Sequence, residues 1–475
     1  MVKVESKKEW HFLIFLVVLT SFLRLTQLGY SHFYGDETKV LYVDKTIPAT
    51  QFLLDQRKGP VQFVVAWVME TVTEKIFGFG YDEFWIRLPF ALAGILSVLA
   101  FYLLVKHFLG YKVAAVAALL LCVSGFSVAF GRTAQYQSFL QLFGLLSILA
   151  IAWYTQNPKR KYLVLASFSF TLAFLSHYDA VFYLVPICYL VFTYKVNFRE
   201  LSGFFILPCL AILSIFYLPY VGRGFFEQNT AGYVFRRIVG MRQPLNNSLY
   251  TIFLYNPTGF FYIEMILGGI GIYFLKDKKL SPFYLWFFIS FIVFGLIILN
   301  PGTHIQNYLL PLIVFSSAVI YHLMVRFPLT RVLFGGMFII VYIATSIIFI
   351  PFLSLGYPWV VGKPSGLYQV FCYGFPYNRS WVEIQKYMYS LPNVGGVYTN
   401  DDDTVAQYYL AKIPYTRPGT NFLPQYYINV VNPMEYQKSD NMAKYVSDGY
   451  YDLKMEFKRK DNTEVVAQVY KLTNY

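Results

Sequence analysis

The sequence predicts a mainly α-helical, polytopic membrane protein with a small α/β domain at its C-terminal end. Three observations carry this. Of 475 residues, 57% are hydrophobic and only 14% are charged, against about 25% charged in soluble domains. Apolar runs approaching the roughly 20 residues that cross a bilayer recur about eleven times before residue 355. Beyond 357 those runs stop, and the composition becomes that of a soluble domain with nearly balanced charges. A water-soluble chain of this length could not hide so much apolar surface. Disorder, coiled coil, collagen and disulfide scaffolds are excluded by the same figures and by the cysteine count of four.

The expected spans are 11–29, 85–105, 113–130, 137–155, 162–176, 178–194, 201–220, 249–275, 283–299, 307–325 and 332–354. The fifth and sixth divide one apolar stretch at Ser176-His177-Tyr178-Asp179. Basic residues cluster between successive pairs of spans: Lys106 with Lys112, Lys159-Arg160-Lys161, Lys195 with Arg199, Lys276 to Lys279, and Arg326 with Arg331. Lys3, Lys7 and Lys8 precede the first span. With eleven spans all of these share one side, and Arg132 is the base of the opposite short loops. The positive-inside rule then predicts a multi-pass plasma-membrane protein with its N-terminus in the cytoplasm and its C-terminal domain outside. The first apolar run enters the following loop without a small-residue cleavage site and reads as an anchor, not a cleaved signal. The net charge of +13 is therefore mostly an orientation signal. The bilayer is the expected partner, and nucleic acid is not.

Two units follow, a membrane unit at 1–356 and a soluble unit at 357–475. Three external segments are long: 30–84, 221–248 and 355–475. Within the first, residues 38–54 and 61–77 are too polar to span but carry apolar faces, as interfacial helices do. In the soluble unit, 396–399 and 465–470 read as strands and 380–390 as a helix. Asp401-Asp402-Asp403 reads as a solvated turn. No glycine loop of a nucleotide-binding kind is present.

Chemistry concentrates in the first external loop. Asp36 and Glu37 follow the first span closely. They fit the first turn of a short helix, or a carboxylate held at the interface as general base or substrate anchor. Arg57-Lys58-Gly59-Pro60 places two cations on a turn at headgroup depth. They serve either as lipid-facing anchors or as a phosphate clamp beside Asp36. Arg223, Arg236, Arg237 and Arg242 on the 221–248 segment are further cations of that side. Arg132 suits a substrate contact or an ion pair with a first-loop acid. His177 and Asp179, at a hairpin tip, suit a substrate contact or a self-satisfied polar turn.

These elements form an ordered pattern: Gly35-Asp36-Glu37, then a base before a proline turn, then Phe84-Trp85-Ile86-Arg87-Leu88-Pro89-Phe90-Ala91-Leu92-Ala93-Gly94 opening the second span. Gly131-Arg132-Thr133-Ala134-Gln135-Tyr136 and Asn307-Tyr308-Leu309-Leu310-Pro311 continue it. Over about residues 10–325 the chain resembles the C-type (GT-C) glycosyltransferases. It is particularly similar to glycosyltransferase family 39, with its protein O-mannosyltransferases and lipid A aminoarabinose transferases.

The resemblance implies an integral-membrane glycosyltransferase. It would move a sugar from a polyprenyl-phosphate carrier to a protein, lipid or glycan acceptor on the extracytoplasmic face, with inversion. Carried over by position, Asp36 resembles the catalytic acidic residue that acts as base, deprotonating or orienting the acceptor hydroxyl, and Glu37 supports it. Lys58 and Tyr308 resemble donor-phosphate ligands, and Arg57 lies beside them. Two departures stand out. Relatives carry Pro-Pro where Gly59-Pro60 stands here, and often an acid or His in place of Arg57. Lipid A relatives can hold a metal ion near that position, so with Arg57 there the enzyme is expected to work without metal or other cofactor. Two other readings remain at this level: a flippase or transporter of lipid-linked sugars, which calls for charges lining the spans, and an oligosaccharide ligase or polymerase.

Overall fold

The computed structural model describes residues 7–239, 244–299, 301–360, 372–419, 422–434, 441–459 and 464–473. Helices occupy each of the expected spans, though they differ in length. Six are long and apolar enough to cross a membrane: Glu83–Leu109, Gln137–Gln156, Phe198–Gly222, Lys278–Ile297, Gly302–Arg326 and Leu329–Phe349. Tyr111–Val123, Tyr178–Thr193 and Phe260–Phe274 are apolar but shorter. Lys7–Leu25 and Arg160–Ser176 complete the bundle.

Two expected spans are broken, and the breaks meet. The 113–130 run divides at Ser124 into Tyr111–Val123 and Gly125–Phe130. The 249–275 run divides at Asn256-Pro257-Thr258-Gly259, where Gly259 adopts a positive φ of 65°. The Asn256 side-chain oxygen accepts a hydrogen bond from the Gly125 N–H at 2.7 Å, in a buried contact. A Cβ on Gly125 would lie only 1.8 Å from the Tyr255 carbonyl oxygen. Irregular backbone at membrane depth persists only where protein satisfies it, and here Asn256 of one break satisfies the Gly125 N–H of the other.

The first loop is more irregular than its amphipathic pattern suggested. Of the 38–54 stretch only Thr38, closing the short helix Gly35–Thr38, and Ala49–Leu54 are helical, whereas Val61–Phe77 forms as expected. Pro48 and the Asp44-Lys45-Thr46 turn, in which Asp44 accepts from the Thr46 N–H at 2.9 Å, replace the rest. Asp82 caps Glu83–Leu109 by accepting from the Phe84 and Trp85 N–H groups, which starts the second span two residues earlier than its apolar run.

The C-terminal region carries a four-stranded sheet of order β1-β2-β4-β3, with β1 Val397–Thr399, β2 Tyr426–Val430, β3 Tyr451–Lys458 and β4 Val465–Leu472. The first pair is parallel and the other two are antiparallel. Its core does not stop at the sheet. Trp381, Ile384, Val405 and Ile428 share a buried cluster with Phe33, Val40, Ala66, Ile86 and Phe90 of the membrane unit. The acid run is built in, not solvated. Asp401 is buried and accepts from the Arg379 guanidinium at 2.6 Å and the Trp381 indole at 2.9 Å. Asp402 caps Asp403–Tyr409, and Asp403 pairs with Arg417 at 2.5 Å.

Candidate active site

Asp36 sits in the four-residue helix Gly35–Thr38, which directly follows the first membrane helix. Its neighbour Glu37 fixes that turn. The buried Glu37 carboxylate takes two hydrogen bonds from Arg87, at 2.9 and 2.7 Å. It also accepts the N–H groups of Tyr34 at 2.9 Å and Ala134 at 2.6 Å. Arg87 in turn donates to the carbonyls of Leu28, Ser31 and His32. A charged pair this deeply buried is tolerated only when hydrogen-bonded so fully. Its effect is to lock the loop and turn Asp36 the other way, into a cavity.

There Asp36 meets cations. Lys58 Nζ lies 2.8 Å from Oδ2, and Lys39 Nζ lies 3.2 Å from Oδ1. Gln135 Nε2 donates to Oδ2 at 3.3 Å. Burial opposes ionisation, but Lys58 and Lys39 outweigh it and hold Asp36 well below the usual carboxylate range. Burial also lowers Lys58 from its ordinary value, against the pull of Asp36.

Gly59 delivers the lysine. It has φ 106°, and a Cβ there would lie 2.2 Å from the Leu175 carbonyl oxygen. The turn therefore presses onto the end of Arg160–Ser176, next to His177. Glycine, not the proline of relatives, is what that conformation admits.

The cavity encloses about 200 Å³ and is walled by Asp36, Lys58, Tyr136, His177, Arg237 and His304, among others. A second cleft of about 390 Å³ opens on the far side, with Lys39, Asp55, Gln62 and Asn229. Asp36, Arg57 and Lys58 line both, so they form the partition between them. The Arg57 guanidinium lies 3.7 Å over the Tyr233 ring, which Arg237 approaches at 4.7 Å. This sandwich ties the first loop to the segment after Phe198–Gly222.

On the opposite wall His177 stacks on Tyr136 with ring centroids 4.0 Å apart. Burial pushes its imidazole down to about 4 despite nearby Asp179. Asp179 is buried behind it, 2.6 Å from His304 Nδ1 and 3.0 Å from Asn307 Nδ2. His177, Asp179 and His304 offer ligand atoms within 4.8 Å of one another and could hold a metal ion.

A family model described as dolichyl-phosphate-mannose-protein mannosyltransferase matches residues 58–221. No curated protein matches the chain by sequence. Among solved structures, ArnT from Cupriavidus metallidurans bound to undecaprenyl phosphate superposes with a TM-score of 0.60 at 12% identity, covering 98% of each chain. The chain has the GT-C fold. The apo form of the same ArnT gives a TM-score of 0.58 at 12% identity, with 98% of each chain covered. The oligosaccharyltransferase of Archaeoglobus fulgidus in its apo form gives 0.48 at 13% identity, covering 88% of this chain and 61% of its own.

Within the GT-C fold, Asp36, Arg57, Lys58, His177 and Arg237 converge on one cavity, and Glu37 and Asp179 stand directly behind it. Two expected residues do not. Arg132 neither reaches substrate space nor pairs with a first-loop acid. Its buried guanidinium donates to the carbonyls of Leu23 at 3.0 Å and Thr26 at 3.0 Å, capping the end of Lys7–Leu25. Tyr308 packs against Phe291, with centroids 5.5 Å apart, and is absent from the cavity wall. It follows Asn307, whose side chain meets Asp179, and one residue is about 100° of helix rotation. Arg242 lies outside the described residues. His304, Tyr136, Gln135 and Tyr233 also line this cavity, from three separate segments; Gln135 and Tyr136 end the Gly131–Tyr136 motif, while nothing local in the sequence marks His304 or Tyr233.

Proposed function

We propose that the chain is a membrane glycosyltransferase that moves a sugar from a polyprenyl-phosphate carrier to an acceptor hydroxyl of a protein, lipid or glycan. The observation that carries this is the partition: a carboxylate and two cations stand between two cavities. The smaller, cationic cavity receives the donor phosphate at Lys58, Arg57 and Arg237. The larger cleft admits the acceptor. Support for the donor class comes from the family match and from a GT-C neighbour that binds undecaprenyl phosphate.

Chemistry follows from charge. As the C1–O bond breaks, the carrier phosphate gains negative charge, and cations already in place stabilise it. In the free site Lys58 is spent on Asp36. A donor phosphate competes for that ammonium, and its loss returns basicity to Asp36. Asp36 then takes the acceptor proton as the hydroxyl attacks the anomeric carbon from the opposite face, which inverts it. The base distribution supports a reading in which this face lies outside the cytoplasm and the N-terminus within it.

Membranes carrying Asp36→Asn and Lys58→Ala, supplied with radiolabelled polyprenyl-phosphate sugars, test the reading. Asp36→Asn should lose on the order of 10² to 10⁴ in transfer rate. Lys58→Ala should raise the donor KM and lower kcat. Wild-type rates in Asp36→Asn would remove Asp36 from its role, and carrier transport without transfer would remove the enzyme class.

A further inference from the structure

Asp179 is fully buried, and among the described residues no lysine or arginine pairs with it. Its partners are two imidazoles and an amide. His304 Nδ1 lies 2.6 Å from Oδ2, and Asn307 Nδ2 donates to the same oxygen at 3.0 Å. The other oxygen, Oδ1, lies 3.1 Å from His177 Nδ1. That ring nitrogen also accepts the Asp179 backbone N–H at 3.1 Å. An imidazole nitrogen that accepts a hydrogen bond carries no proton. Nδ1 and Oδ1 therefore face each other as two lone-pair atoms at hydrogen-bond distance. A self-satisfied polar turn leaves that contact repulsive, and a cation between the two atoms makes it attractive.

We propose that His177, Asp179 and His304 bind a divalent transition metal of the zinc class. A tetrahedral ion with ligands at about 2.1 Å separates them by about 3.4 Å. Three ligand atoms already within 4.8 Å of one another, with two contacts of 2.6 and 3.1 Å, need only small shifts to reach this. Two nitrogens and one carboxylate oxygen suit Zn²⁺ or Co²⁺ over Mg²⁺ or Ca²⁺, which take oxygen shells. Asn307, anchored on Asp179 and on the His304 carbonyl at 2.9 Å, orients the set from outside. Three protein ligands leave one position open, and His177 and His304 both line the cavity that Asp36 shares. The first-loop carboxylate takes no part, since lysines occupy both of its oxygens.

The supply lines are three: the end of Arg160–Ser176, the 3₁₀ turn Tyr178–Ala180, and the 3₁₀ turn Gly302–Ile305. The ion would thus join the hairpin of the fifth and sixth membrane helices to the start of Gly302–Arg326. It would present a positive centre to whatever enters the smaller cavity.

The full chain, produced without a polyhistidine tag, chelator-treated and titrated with Co²⁺, gives a direct test. One Co²⁺ per chain with a tetrahedral visible absorption band, displaced by Zn²⁺, is expected. His304→Gln keeps a donor for Asp179 and should abolish the band while thermal unfolding without metal stays unchanged; Asp179→Asn is the second variant. Substoichiometric Co²⁺ without the band, or equal binding by His304→Gln, overturns the proposal. This readout is independent of transfer: a chain that binds Co²⁺ but transfers no sugar overturns the proposed function alone, and the reverse overturns the metal alone.

Discussion

A carboxylate held far below its ordinary range is a poor proton acceptor, so the residues around Asp36 decide when it can act. Lys39 is the informative one, because its side chain is largely exposed and it lines only the larger cleft. Lys39→Ala removes a positive neighbour, which disfavours the ionised carboxyl and raises its pKa. Because the depressed group loses its charge only as pH falls through the folded value, the acid limb of kcat/KM should move to higher pH in Lys39→Ala. An unmoved limb would mean that Lys58 alone sets the carboxyl. At this scale the sequence was informative where charge and spacing coincide, as in Asp36, Glu37 and the Arg57-Lys58 turn. It was silent where chemistry depends on a second chain segment. His304 is one histidine in a short polar loop, Pro301-Gly302-Thr303-His304-Ile305-Gln306, and nothing local marks it as the partner of Asp179. Arg132 misled for the reverse reason: an isolated base in a short loop looks available until the end of the first helix claims it.

At the scale of elements, hydropathy located the membrane helices because length and apolarity are local quantities. It could not see the two breaks, which meet through the Gly125–Asn256 hydrogen bond. Gly125→Ala should therefore destabilise by about 1–3 kcal/mol or more, since its Cβ would overlap the Tyr255 carbonyl. Gly335→Ala, in a helix where a Cβ meets nothing within 4 Å, should be neutral or stabilise by up to about 1 kcal/mol. Thermal unfolding of the two variants in one detergent separates the cases, and equal midpoints would refute the interlock. β2 escaped because Tyr426–Val430 lacks alternation; β3 was legible, since Tyr451, Leu453, Met455 and Phe457 alternate with charged residues, although its ladder carries register shifts near Leu453 and Phe457.

At the scale of the molecule, the boundary drawn at 357 is compositional, while the packing crosses it. The first loop lies between Arg87 below and the C-terminal region above. Arg379 donates to the Phe33 carbonyl at 2.6 Å, and its backbone N–H donates to His32 Nδ1 at 3.2 Å. The Tyr409 hydroxyl accepts from the Phe33 N–H at 3.0 Å and donates to Glu83. Thr38 and Thr404 share a hydrogen bond at 2.8 Å, and a Cβ on Gly35 would strike the Asp402 carboxylate. Arg379→Gln should consequently lower kcat, on the order of 10²-fold for a displacement near 1 Å. Polyprenyl-phosphate binding at Lys58 should be retained. Parallel loss of both, at unchanged melting temperature, would contradict a positioning role.

This clasp also sets a clock. Residues 33–38 leave the ribosome at least 340 residues ahead of their partners at 379–409. At about 5–20 residues per second, that separation takes roughly 17–70 s. Through that interval the membrane helices are made one after another, while the loop bearing Asp36 lacks its upper support. A nascent chain therefore completes the setting of Asp36 only after residues 379–409 have emerged.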